Sequence, residues 1–143
     1  MATQFQVVFD CADPDALSQF WAAALGYIVQ PPPEGFADWP SFLATIGLAH
    51  RVSQASAIVD LDGGGPRIYF QRVPEGKVVK NRVHLDLNVS DSRRVGTEEG
   101  RKRVAAEAAR LIALGARKVR DYAEGPESWT VMADPEENEF CLH

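Results

Sequence analysis

Apolar and polar positions alternate at the start of the chain. Phe5, Val7 and Phe9 fall on one side, and Gln6, Val8 and Asp10 on the other, which predicts a strand over residues 5 to 11 with its apolar set under a helix. Ala12-Asp13-Pro14 then begins that helix, because a carboxylate at Asp13 accepts orphan backbone N–H bonds and Pro14 loses no needed donor at the first helical position. Leu17, Phe20, Trp21, Ala24 and Leu25 recur at helical spacing, and Gly26 supplies the stop. Residues 27 to 30 predict a short strand, and Pro31-Pro32-Pro33-Glu34-Gly35 an extended excursion. Within residues 40 to 47 one or two helical turns put Phe42, Leu43 and Ile46 on one side, either as a lid or as a seal on the core. Residues 55 to 61 and 67 to 73 predict two strands joined by Asp62-Gly63-Gly64-Gly65-Pro66.

After Pro74-Glu75-Gly76 the same order restarts: a strand over 82 to 89, a polar turn, a helix over 97 to 114, Gly115, a strand over 117 to 122, a hairpin and a strand over 139 to 142. Laying Cys11-Ala12-Asp13 over Val89-Ser90-Asp91 puts Gln6 on His84, Val8 on Asp86 and Asp10 on Asn88. The fold class is therefore α+β, a single domain over 1–143 built from two βαβββ modules, about 1–75 and 80–143. In the second module Val83, Leu85 and Leu87 face a helix and leave His84, Asp86 and Asn88 opposite, while Phe140 and Leu142 leave Glu139, Cys141 and His143. Val104, Ala108, Leu111 and Ile112 turn inward on the second helix. Arg101-Lys102-Arg103 turns outward as a solvated face, with anion binding as the alternative. The contrasting row of Gln6, Asp10, Tyr69, Gln71, His84, Asp86, Asn88, Glu139 and Cys141 either faces water or, if the sheets curl, lines a cavity with one imidazole in it.

Composition narrows the partner. Across 143 residues, 45% hydrophobic and 24% charged residues support a folded globule, and a net charge of −5 argues against broad binding to nucleic acid or anionic lipid. A small-molecule ligand is expected, with no nucleic acid and no membrane. No basic n-region or long apolar run opens the chain, so a cytoplasmic location is expected. Two cysteines far apart in sequence, Cys11 and Cys141, imply no disulfide framework.

The tandem βαβββ order, the Asp13-Pro14 helix start, Phe20-Trp21, Leu25-Gly26-Tyr27 and the turn from Asp134 to Phe140 resemble the vicinal oxygen chelate superfamily. More narrowly, the runs from Ile68 to Lys77, from Lys80 to Leu87 and from Asn138 to Leu142, together with Trp39-Pro40-Ser41-Phe42-Leu43, resemble bacterial glyoxalase-like domain proteins of the glyoxalase, bleomycin resistance and dioxygenase fold. The resemblance covers nearly the whole chain. It implies curled mixed sheets around a central cleft with helices outside, and family precedent for a homodimer.

Metal-dependent members place one ligand on each opening and each closing strand. Carried over by motif, those positions are Gln6, Gln71, His84 and Cys141. Two neutral amides and a thiol beside one imidazole form a degenerate set, so the implied cofactor is either a divalent ion such as zinc or none. His84 is the catalytic candidate, a ligand or a general base. Asp86 orients it only if the strand twist brings together heads on residues about 7 Å apart. Tyr69 and Trp129 could supply aromatic walls to a ligand. The resemblance implies a lyase or isomerase acting on a small carbonyl compound or, alternatively, a non-catalytic binder like the antibiotic-resistance members.

Overall fold

Asp13 starts α1 (Pro14–Leu25) by accepting the Ala16 N–H at 3.1 Å, and Gly26, at φ 71°, ends it by donating its N–H to the Ala22 carbonyl. Leu17, Phe20, Trp21 and Ala22 are buried against a four-stranded sheet of order β1-β4-β3-β2, made of β1 (Val7–Cys11), β2 (Ile28–Val29), β3 (Ala55–Val59) and β4 (Ile68–Arg72). β1 and β4 run parallel, whereas β3 is antiparallel to both of its neighbours. Phe9 packs 5.2 Å from the Trp21 ring and 5.4 Å from Phe70, so this sheet and helix share an aromatic core. Ser18 is buried beneath it and satisfied, accepting from Ser56 Oγ at 2.8 Å and donating to the Asp15 carbonyl. The β3–β4 turn is tied by Asp60, whose carboxylate accepts the N–H groups of Asp62, Gly64 and Gly65.

This computed structural model describes residues 1–143, which divide into two units, Met1–Gly76 and Lys77–His143. The second unit repeats the first one's topology as β5-β8-β7-β6, with β5 (Asp86–Leu87), β6 (Arg117–Glu124), β7 (Glu127–Ala133) and β8 (Glu139–Leu142). β5 and β8 are the parallel pair, matching β1 and β4. Its helices are α3 (Ser92–Val95), which fills the expected polar turn, and α4 (Thr97–Ala113), and Leu111, Met132, Phe140 and Leu142 form its buried centre.

Four expectations are corrected. The strand expected over 82 to 89 shrinks to two residues, because Asn81 is tied to side-chain bonds instead of a ladder: its Nδ2 donates to the Val83 carbonyl at 3.2 Å, and its N–H donates to the carboxylate of Glu139 on β8. Val83 is consequently 81% exposed rather than helix-facing, and Phe5, ahead of β1, is 72% exposed. Ile112 also faces outward, since the buried stripe of α4 runs through Gly100, Ala108 and Leu111. The segment 40 to 47 forms α2 (Trp39–Thr45), capped by Asp38, with no residue fully buried. Its Trp39 and Phe36 rings meet Phe42 edge-on, and Trp39 Nε1 donates to the Gln30 carbonyl at 2.9 Å.

Candidate functional site

The parallel ladder of β5 and β8 places Asp86 beside Cys141, and bonds from Cys141 N–H to Leu85 and from His143 N–H to Leu87 carry the pairing past the strand ends. Residues on one face of such a pair alternate, so His84, Asp86, Cys141 and His143 converge. Asp86 is the hub. Its Oδ1 lies 2.7 Å from His84 Nδ1 and its Oδ2 lies 3.3 Å from His143 Nε2. A carboxylate accepts, so Asp86 favours a proton on Nδ1, and in the neutral ring, which is 42% exposed, that leaves the lone pair on Nε2. The condition set for Asp86 as orienting carboxylate is met. His143 in turn stacks on Trp129 at 6.2 Å, and Trp129 stacks on Tyr122 at 5.5 Å, which places Trp129 behind an imidazole.

One ligand-type atom from each of His84, Asp86 and Cys141 lies within 4.8 Å of the others. The Cys141 thiol is pushed up to about 11, first by burial, then by the nearby Asp86 carboxylate and its hydrogen bond, with Lys80 opposing. At neutral pH it is a thiol rather than a thiolate. Glu139, two residues earlier, is committed elsewhere: it bonds Lys77 Nζ and the Asn81 N–H, both at 3.0 Å. Burial alone would raise its pKa, yet those bonds outweigh burial and lower it.

The amide pair belongs to the first unit. Gln6 Oε1 accepts from Arg67 Nη1 at 2.8 Å, and Gln71 Nε2 donates to Asp10 at 2.6 Å. Tyr69 lies under the Arg67 guanidinium, 5.2 Å from its ring centroid. The ladders refine the correspondence between modules. Val8 pairs with Tyr69 and Asp86 with Cys141, so with Val8 laid on Asp86 the counterpart of Cys141 is Tyr69, and that of Gln71 is His143. His143 and the Asp86 bridge were not among the residues singled out beforehand. The period-2 alternation that grouped His143 with Cys141 was the available signal.

The family model for the glyoxalase-like domain matches residues 6–143. Among solved structures, the chain is similar to a glyoxalase/bleomycin resistance protein/dioxygenase family enzyme from Burkholderia phytofirmans PsJN, with a TM-score of 0.61 and 19% identity over 96% of this chain and 94% of that one. It is also similar to the fosfomycin resistance protein FosX from Listeria monocytogenes, complexed with Mn(II) and 1S,2S-dihydroxypropylphosphonic acid, with a TM-score of 0.65 and 11% identity over 100% of this chain and 90% of that one. No curated protein matches. Identities this low establish a shared fold and leave the chemistry to the residues.

Proposed function

The chain belongs to the glyoxalase-like domain family, within the vicinal oxygen chelate superfamily, and from that premise we propose a lyase or isomerase acting on a small carbonyl compound, with His84 as the base. The observation that carries this reading is the 2.7 Å bond between His84 Nδ1 and Asp86, which leaves Nε2 as a proton acceptor in an accessible ring. Nε2 would take a proton from the carbon beside the carbonyl, and the C–H electron pair would become the enolate. With a hydroxyl on that carbon, return of the proton to the former carbonyl carbon and transfer of the hydroxyl proton to the former carbonyl oxygen gives isomerisation. With a β-substituent, the enolate pair forms the C=C bond and the substituent leaves with its bonding pair, which gives elimination. Asp86 is the positioning residue: it holds the tautomer and stabilises the imidazolium once formed.

A divalent ion is the chemistry the superfamily implies. His84, Asp86 and Cys141 fit a borderline ion such as zinc, because imidazole, carboxylate and thiolate are its common donors and all three are within 4.8 Å of one another. Such an ion, when bound, would polarise the substrate carbonyl. A neutral imidazole has one lone pair, and a nitrogen that holds the ion cannot also take a proton, so zinc binding and proton removal by His84 are alternatives. A second reading, a non-catalytic binder, is favoured by the Cys141 thiol, which burial and Asp86 keep neutral, so that it offers an ion no anionic sulfur at neutral pH.

Deuterium exchange in D2O, followed by NMR over a panel of α-hydroxy ketones and thiol adducts of α-keto aldehydes, separates these readings. The expected result is exchange by chelator-treated protein that is abolished in His84→Ala, lowered in Asp86→Asn and suppressed by stoichiometric zinc. Exchange that survives His84→Ala refutes the base. Saturable binding without exchange establishes the binder, and no zinc uptake removes the ion.

A further inference from the structure

A cleft of about 540 Å³ opens in the second unit among residues 88–93, the start of α4, the β6–β7 turn and His143 after β8; His143, whose ring lies 3.3 Å from Asp86, borders it, whereas His84, Asp86 and Cys141 do not line it. The distribution of ion pairs around it is uneven. Lys102 is paired with Glu98 at 3.2 Å, and Arg103 lies 3.6 Å from Asp91 and 3.7 Å from Glu99. Arg94 also bonds Asp91, at 2.5 Å. Each of these cations therefore has a carboxylate. Arg93 and Arg101, which line the cleft, have none.

We propose that this cleft binds a small molecule carrying an oxyanion, a phosphate ester or a carboxylate, with Arg93 and Arg101 as its charge partners. Guanidinium groups present planar forks of N–H donors that match phosphate and carboxylate oxygens, and they are the two uncommitted ones on this surface. The hydroxyls of Ser90, Ser92, Thr97 and Ser128 line the same cleft and supply neutral donors around the charge. Val104 and Pro126 give an apolar wall for the rest of the molecule. Asp91 also lines it, but its charge is met by Arg94 and Arg103. That leaves Glu127 as the one unmatched acid, which sets a preference for a compact anion over an extended polyanion. The Arg101-Lys102-Arg103 run thus divides: two members form the solvated face and the first turns toward the cleft.

The test is a two-dimensional amide NMR titration of the whole chain with inorganic phosphate, phenyl phosphate and benzoate at constant ionic strength. Saturable shifts centred on Ser92, Thr97 and Arg101 are expected, with phenyl phosphate binding more tightly than inorganic phosphate. The dissociation constant should rise about tenfold in Arg93→Gln and in Arg101→Gln, as for loss of one charge-assisted bond. Lys102→Gln, one residue along and already paired, should bind like the wild type. The phosphate and benzoate arms decide which oxyanion is preferred. No saturable shift with any probe, an equal loss in Lys102→Gln, or shifts centred on His84 and Cys141 would overturn the proposal. Because the readout is local binding, it can fail while proton exchange at His84 survives, and the reverse.

Discussion

Asp134 is buried at 1% exposure in the turn between β7 and β8, where it organises donors rather than chemistry. Its Oδ1 accepts the N–H groups of Glu136 at 2.9 Å and Asn138 at 3.0 Å, and its carboxylate also receives Asn138 Nδ2 at 3.1 and 2.9 Å. Replacing it with alanine strands two backbone donors in a partly buried turn, while the half-buried Asn138 amide can rotate toward water. Two charge-assisted bonds at about 1.5 kcal/mol each put the loss near 3 kcal/mol. Urea unfolding at pH 7 reads this directly: with a slope of about 1–3 kcal/mol/M, the midpoint falls by roughly 1–3 M. Asp134→Asn keeps one carbonyl acceptor for the same donors and should lie between the two. A loss under about 1 kcal/mol in Asp134→Ala would refute the assignment of this aspartate as the organiser of the turn that delivers Cys141 to its place beside Asp86.

Two further outcomes follow from the second unit. Asp86→Asn should lower the Cys141 pKa from about 11 toward the ordinary thiol range, though not all the way because burial remains, as followed by thiolate absorbance near 240 nm during a pH titration; an unchanged midpoint would remove Asp86 as a cause. The raised value also fixes a sign: the neutral thiol favours the folded state fully below the ordinary thiol pKa, and that contribution disappears as pH rises through about 11. Gly100→Ala should lower the melting temperature despite alanine's better helix propensity, because the added Cβ would meet Ser92 Cβ at 2.8 Å and Ser92 Cα at 3.3 Å. Overpacking of about 1–3 kcal/mol exceeds a propensity gain of about 1 kcal/mol, and a raised melting temperature would contradict it.

The elements were legible where local chemistry is redundant. Asp13, Pro14, the apolar stripe of α1 and Gly26 each specify the same helix, and the second copy of the order confirmed the topology of the first. Legibility failed where a period-2 pattern met a stronger local bond. Val83 alternates correctly with Leu85 and Leu87, yet the Asn81 side chain and the Glu139 carboxylate hold 81–84 out of the ladder. Alternation grouped the site residues onto common faces, but it does not say which side chains bond to one another. That Gln6 would answer Arg67, that Glu139 would be spent on Lys77, and that Asp86 would reach both His84 and His143 depend on rotamers and twist, which a linear pattern does not contain.

The two ladders also show why the chemistry is concentrated in one module. At matching positions the first unit carries Gln6, Val8 and Gln71, and the second carries His84, Asp86 and His143. Amides do not titrate in the physiological range, and those of the first unit are already bonded to Arg67 and Asp10, so that copy holds its charge constant. A neutral imidazole carries both a donor and an acceptor nitrogen, and a neighbouring carboxylate decides which is which. Valine at position 8 offers no acceptor, whereas aspartate at the equivalent position 86 hydrogen-bonds His84 and lies 3.3 Å from His143 Nε2. The carboxylate at 86 is therefore the difference that gives the second unit's polar strand face an oriented imidazole. Asp86→Val, which copies the first unit's residue into the second, should free the neutral His84 ring to exchange between its Nδ1–H and Nε2–H forms, as read from imidazole 15N chemical shifts, while leaving the β5–β8 ladder paired, because the ladder uses backbone groups of Leu85, Leu87 and Val89 against β8 and His143. Imidazole 15N shifts that still show a single Nδ1–H form of His84 in the variant would show that Asp86 does not orient the ring.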